Sequence, residues 1–339
     1  MMTLLKGQKS GGRSKRGKYG LGIFVVGILF FLAPLLLDYP LFLGNTFLVH
    51  VGSFMMVFAI AAMGLDLLAG YLGLGSLGHA GFVGAAAYCY GILTSRFDWS
   101  IIPAFFITMI FILVLSLLFA LLTTRLAGIT FLMVNLALGL VIFGVIWRWS
   151  SLTGGDNGLG GIPRPELLGF LFYTPQRIYY FIFAFFAGVS FLLYRLTQSP
   201  FGLTLHGIRN SPKRMRALGY NVYTHRFIAY VLSGVVAGLA GILLASLNNF
   251  IGPMLSHVSE SAKIFLMVLV GGGGTILGPI VGASMVIAVE NIVAGWTERW
   301  NMILGAMYVL CVMFMPNGVV GLVAQVRHKI QQMRFNKGK

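Results

Sequence analysis

Charge is what this chain has least of. Of its 339 residues only 9% are charged and only eight are Asp or Glu, whereas a typical soluble domain carries about 25% charged residues. With 58% hydrophobic residues and a mean hydropathy of +0.89, that shortage excludes a soluble globule and assigns the chain to a bilayer. The few carboxylates are scattered, which argues against an integral membrane enzyme with clustered catalytic groups. Cysteine is equally scarce: Cys89 and Cys311 both lie in apolar runs and read as buried thiols, not as a disulfide or a metal site. No GxxxxGK[ST] loop is present, so nothing here cradles a nucleotide phosphate. "GGGGT" at 271–275 lacks the lysine and sits in an apolar setting, where it breaks a helix. Long polar runs are also missing, which excludes a separate soluble domain.

Long apolar runs are there instead. A hydrocarbon core of about 30 Å needs roughly 20 apolar residues per helical crossing. Runs of that order fall at 21–37, 46–69, 79–95, 101–122, 129–149, 177–196, 226–247, 278–295 and 301–321, with a shorter piece at 261–271. The expected fold is all-α, a polytopic helix bundle of about ten crossings that includes one short broken helix. The first run, "LGIFVVGILFFLAPLLL", follows a basic stretch as a secretory signal would. No small-residue cleavage site follows it, so it reads as an uncleaved span.

The net charge of +16 follows the positive-inside bias and is not a nucleic-acid footprint. Lys6, Lys9, Arg13, Lys15, Arg16 and Lys18 precede the first run, and Arg327, Lys329, Arg334, Lys337 and Lys339 follow the last. Two cytoplasmic basic tails require an even number of crossings, and the short piece supplies the tenth. On that scheme the eleven tail cations, Arg125, and Arg195, Arg209, Lys213, Arg214, Arg216 and Arg226 place 18 of the 24 Lys and Arg residues in the cytoplasm, with no acidic residue beside them. The outer segments balance Arg96, Arg148, Arg164, Arg177, Lys263 and Arg299 against Asp38, Asp98, Asp156, Glu166, Glu260 and Glu298. The organisation is a basic cytoplasmic head (1–20), one transmembrane domain (21–321) with a cytoplasmic loop at 197–225, and a basic cytoplasmic tail (322–339).

Two glycine-rich breaks, "GYLGLGSLGHAGFVGA" at 70–85 and "GGGGTILGPIVGA" at 271–283, each follow one apolar run and open the next, as in a weak internal repeat. Interrupted helices in matching places point to a substrate path, which marks Gly75, Ser76, Gly78 and His79 in the first break and Gly271, Gly272, Gly273 and Gly274 in the second. Close helix packing accounts for the same glycines equally well. His79 reads either as a substrate contact or as the partner of a carbonyl freed by the break. Asp66 and Glu290 are the two carboxylates inside apolar runs, hence functional candidates, although either could simply reach an interface. The loop at 150–169 is a connector or a gate.

The stretch "NSPKRMRALGYNV" at 210–222 stands apart from its oily surroundings. Ser211 suits an N-cap, Pro212 the first helical position and Gly219 the C-terminal cap, which defines a helix of about two turns, Pro212 to Leu218. Met215 and Leu218, three residues apart, should share a face, with Lys213, Arg214 and Arg216 around the remainder and Ala217 between. Such a helix can lie on anionic lipid or dock into a soluble partner.

From "SPFGLTLHGIRNSPKRMRALGYNVYTHRFIAYVLSGVVAGLAGILLA" through "ESAKIFLMVLVGGGGTILGPIVGA", and in "GYLGLGSLGHAGFVGAAAY" and "LGAMYVLCVMFMPNGVVGL", the chain resembles the permease subunits of ABC importers for branched-chain amino acids. The order and spacing match from about residue 60 to 322; urea permeases share nearly the same motifs. The resemblance implies a second homologous permease subunit, two cytoplasmic ATPase subunits, an external substrate-binding protein and a bacterial-type cytoplasmic (inner) membrane. It implies no cofactor on this chain, with ATP and Mg held by the ATPase subunits. It also makes Ser211–Gly219 the ATPase-coupling helix. The implied function is inward movement of branched-chain or related amino acids; the alternatives are urea or a short amide, or an ion-coupled transporter titrating Asp66 or Glu290. Two departures stand out: the coupling helix is wholly basic where family members often carry acidic residues, and Asp66 occupies a position where Asn is common.

Overall fold

The computed structural model describes residues 46–295, apart from 168–169 and 172–173, together with isolated helical positions at 27, 30 and between 302 and 318. The basic head, the basic tail and most of the runs at 21–37 and 301–321 therefore lie outside the described residues. Helix α1 covers Thr46–Asp66 and continues as a π turn, Leu67–Leu72. It is followed by α2 (His79–Ser95), α3 (Ile101–Thr123), α4 (Gly128–Arg148) and α5 (Pro175–Gln198). Two short helices, α6 (Pro200–Asn210) and α7 (Pro212–Ala217), lead into α8 (Val222–Asn248). The last described elements are α9 (Val258–Gly271) and α10 (Leu277–Ala294). Six of them, α1 with its π turn, α3, α4, α5, α8 and α10, are long and apolar enough to cross a membrane.

The apolar runs locate these helices to within four residues at every described end. The largest difference is at α8, which begins at Val222 because Asn221 caps it, its side-chain oxygen accepting from the Thr224 amide at 3.1 Å. Polar residues thus extend the helix ahead of its apolar run. The first break is shorter than the glycine pattern indicates: the chain stays coiled through Leu72, and only 73–78 is unwound before His79.

Helices α1 and α8 form the centre. Their apolar windows are 72% and 78% buried, against 22% for α3 and 28% for α4, whose outward faces expose Phe106, Ile110, Leu118 and Val141. An exterior of that kind is suited to lipid and not to water. Within the bundle the Tyr230 hydroxyl on α8 donates to Asn135 Oδ1 on α4 at 2.5 Å, and Asn135 Nδ2 donates to the Phe131 carbonyl at 2.7 Å. Both polar groups are satisfied without water.

The loop at 150–169 is strapped in place. Strand β1 (Leu159–Gly160) pairs antiparallel with β4 (Phe250–Ile251), Leu159 opposite Ile251, while β2 (Glu166–Leu167) and β3 (Phe170–Leu171) form a hairpin. Asn249 Nδ2 donates to the Ile162 carbonyl at 2.8 Å. This ties the loop to the end of α8. The strands are two residues each, so the architecture remains an all-helical bundle.

Candidate coupling and translocation site

The basic stretch folds as its caps require. Ser211 Oγ accepts from the Arg214 amide at 3.3 Å, Pro212 opens α7, and Gly219 takes φ +86, a left-handed turn that disfavours residues with a side chain. The Tyr220 amide returns to the Met215 carbonyl at 3.1 Å, closing the helix end. Lys213, Arg214, Arg216 and Ala217 are exposed. The expected shared face of Met215 and Leu218 does not form: Met215 turns inward against Gly207 of α6, whereas Leu218 remains 66% exposed. The reason is α6, a helix within the expected loop at 197–225, which occupies one side of α7. Ser199 and Pro200 open α6 with the same Ser-Pro signal as Ser211 and Pro212, so the clue was present.

The far end of α6 reaches the core. Arg209 Nη1 donates to the carbonyl of Gly70 in the π turn. Gly70 in turn abuts the second break: a Cβ built on it would collide with the Asp66 carboxylate and the Gly274 amide, so this approach requires glycine. The Gly274 amide donates to Asp66 Oδ1 at 2.8 Å, while Asp66 Oδ2 has no partner among the described residues. The π turn that leads into the first break therefore meets the second break at one junction, and the loop helices hold its rim. Asp66 is 1% exposed and does not reach an interface; it organises the backbone of the second break, whose Gly272 and Gly274 take positive φ. Gly273 lies beside Gly70, and Gly271 packs on the backbone of Gly278. Beside the junction, Tyr71, His206 and Thr275 line a cavity of about 240 Å³. The His206 ring sits 4.8 Å from that of Tyr71, and burial, assisted by the Arg209 charge, holds this loop imidazole below its usual pKa.

His79 is buried at 1% exposure with both ring nitrogens engaged: Nε2 lies 2.7 Å from Ser233 Oγ and Nδ1 3.1 Å from Ser76 Oγ. Ser233 Oγ donates onward to the Gly64 carbonyl at 2.5 Å, close to where α1 widens into its π turn and the helical hydrogen-bond register shifts. Ser261 Oγ of α9 accepts from the Ala80 amide at 2.9 Å, satisfying a free donor at the start of α2. Gly78 rests on the Asn135 backbone and Gly75 on Phe265. In this structure the first break is thus fastened by polar bonds and close packing.

Glu290 is elsewhere. Its Oε1 lies 3.3 Å from Lys263 Nζ, and Glu260 Oε2 lies 2.9 Å from the same ammonium. Lys263 is 8% exposed and sits 4.7 Å over the Phe58 ring. Lys263 is therefore not simply one of the balanced outer charges; the signal for its pairing is the three-residue spacing of Glu260 and Lys263, one helical turn. Asp66 and Glu290 are not brought together. One lies at the end of α1 beside the α6 junction, the other near the opposite end of the bundle.

Residues 47–313 match the model described as the branched-chain amino acid transport system / permease component. The chain is 26% identical to the high-affinity branched-chain amino acid transport system permease protein LivM of Escherichia coli (strain K12) over 298 residues, 80% of this chain and 69% of that one. It is 26% identical to LivH of the same strain over 282 residues, 79% of this chain and 80% of that one. A shorter similarity, 27% over 135 residues, 37% of this chain and 39% of the relative, links it to the autoinducer 2 import system permease protein LsrC of Escherichia coli O157:H7. No solved structure matches the chain. With its apolar spans and a family match over most of its length, the chain is a multi-pass membrane protein belonging to the permease components of branched-chain amino acid transport systems.

Proposed function

We propose that the chain is the transmembrane permease component of an ATP-driven importer that moves branched-chain or related amino acids inward. It works beside a second homologous permease subunit, two cytoplasmic ATPase subunits that carry ATP and Mg, and an external substrate-binding protein. The chain makes ten crossings with both termini in the cytoplasm, so α6 and α7 face the ATPase subunits. The exposed Lys213, Arg214, Arg216 and Leu218 form the docking knob, and its charge calls for an acidic groove on the partner.

The observation that carries this reading is the junction of Arg209, Gly70, Asp66 and Gly274. A displacement of α7 moves α6, since Met215 is seated against Gly207. Arg209 then pulls on the π turn, and the Asp66–Gly274 bond passes the motion to the second break. Both breaks lie at helix ends, where small φ/ψ changes reorient whole spans. The relation to LivM and LivH, named for branched-chain amino acids, supports the substrate class.

The test is uptake by the purified complex in vesicles, with the co-purifying chains identified. ATP-dependent accumulation of labelled leucine is expected, with urea and autoinducer 2 left outside. Accumulation of urea and not leucine, or uptake that persists without any ATPase, would overturn the reading.

A further inference from the structure

The cluster of Glu260, Lys263 and Glu290 does more than join α9 to α10. It lines a cavity of about 480 Å³ whose other walls include Phe54 and Phe58 of α1, Leu255 and Ile287. The residues contributed by α1, α8 and α10 place this cavity at the end of the bundle opposite the α6 junction. Among the described residues its charges do not cancel: two carboxylates face one ammonium, with an excess of one negative charge. Glu290 Oε2 is inaccessible and has no hydrogen-bond donor among the described residues. An acceptor left in that condition is costly unless a donor arrives. The surrounding wall is apolar and aromatic, with the Phe54 and Phe58 rings stacked at 6.4 Å, and a concave apolar site with a few convergent polar groups is the usual form of a small-ligand pocket.

Resting on the importer reading above, we propose that this cavity is a binding site within the permease for an aliphatic amino acid, recognised by its ammonium group. The Glu290 side chain, 20% exposed, turns to present Oε2 to the ammonium, which donates to it and shares the excess negative charge. The aliphatic side chain lies on Phe54, Phe58 and Ile287, and Lys263, released in part from Glu290, faces the substrate carboxylate. Each charge of the zwitterion gains a partner that bulk water would otherwise supply. Uncharged urea brings no cation and too little apolar surface for this site, so selection is made a second time after the binding protein.

The experiment is equilibrium binding of labelled leucine to the intact complex in lipid discs, without ATP and without the binding protein. Wild type should bind saturably, and 3-methylbutylamine, which keeps the amine and loses the carboxylate, should displace the label. 4-Methyl-2-oxopentanoate, which lacks the ammonium, should fail to displace it at tenfold higher concentration. Glu290→Gln should weaken binding at least tenfold. Because the competition arm uses the wild-type complex, it stands even if the variant misfolds. Saturable leucine binding displaced equally by amine and keto acid would overturn the site, as would unchanged affinity in a folded Glu290→Gln complex. If wild-type vesicles accumulate leucine with ATP but the complex binds none, the site fails and the importer reading stands; if they accumulate no amino acid, the importer reading fails and the site with it.

Discussion

Asp66 and Glu290 are the two carboxylates inside described apolar runs, and their surroundings differ at every step. Asp66 is 1% exposed, accepts from a backbone amide of the second break and lies within ion-pair distance of no cation among the described residues. Glu290 is paired with a lysine and lines an open cavity. One carboxylate stands in for the hydrogen-bond partner that a broken helix has lost; the other belongs to a charged wall. Burial in a span does not by itself mark a transport residue: what a carboxylate faces decides its role. The end bearing the basic loop joins packed backbone beside a cavity of about 240 Å³, and the opposite end holds one of about 480 Å³.

The strongest way to break the first pole is Gly70→Ala. The added methyl has no space between Asp66 and Gly274, and overpacking backbone against backbone should cost about 3 kcal/mol. Thermal unfolding of the complex should fall by several degrees and uptake should be lost; a variant with normal stability and uptake would refute the tight junction. A sharper contrast comes from Asp66→Asn. The amide oxygen still accepts from Gly274, so uptake should stay within about twofold, whereas Asp66→Leu strands that amide and should cost about 2 kcal/mol of stability. Loss of uptake in a stable Asp66→Asn protein would instead favour a titrating role for the carboxylate. His79→Ala tests the first break in the same terms. It removes hydrogen bonds to Ser76 and Ser233 and should lower stability by about 2 kcal/mol, with uptake and ATPase association falling together. Uptake lost with stability intact would make His79 a substrate contact.

The smallest effect concerns pH. His206, in the loop outside the spans, has its pKa lowered from 6.5 by burial and then by Arg209. The docked loop therefore favours the neutral ring, and a released loop takes up more protons below pH 6.5. Docking of α6 should weaken as pH falls through that value and be fully present above it. Coupling of ATP hydrolysis to uptake should drop modestly between pH 7 and 5.5 (about twofold), and His206→Phe, which keeps the ring against Tyr71, should flatten the profile. An unchanged profile in that variant would remove His206 from the account.

The helices were legible because apolar runs of spanning length leave few alternatives, and the basic helix was legible because Ser211, Pro212 and Gly219 mark both its ends. The π turn was not, since Leu67–Leu72 continues the apolar pattern and only the hydrogen-bond register changes. Helix α6 went unread because "PFGLTLHGIRN" mixes glycine and polar residues with too few apolar ones to show a period. Most of the site lay hidden for a different reason: Arg209 meets Gly70, and Gly274 meets Asp66, across separations of 139 and 208 residues. Composition does not encode such pairings. Lys263 was visible as a charge but not as a buried one, because its partner Glu290 comes from the next helix.

The path from the loop helices to the glycine breaks is probed by Arg209→Gln in the complete complex, with uptake and ATP hydrolysis measured on the same vesicles. The variant keeps a hydrogen-bonding side chain but cannot span to the Gly70 carbonyl. If loop motion reaches the glycine breaks through that contact, hydrolysis should continue while leucine moved per ATP falls by about tenfold, the effect of roughly 1.4 kcal/mol of lost coupling. Uptake and hydrolysis that decline in proportion, or a transport ratio equal to wild type, would contradict it.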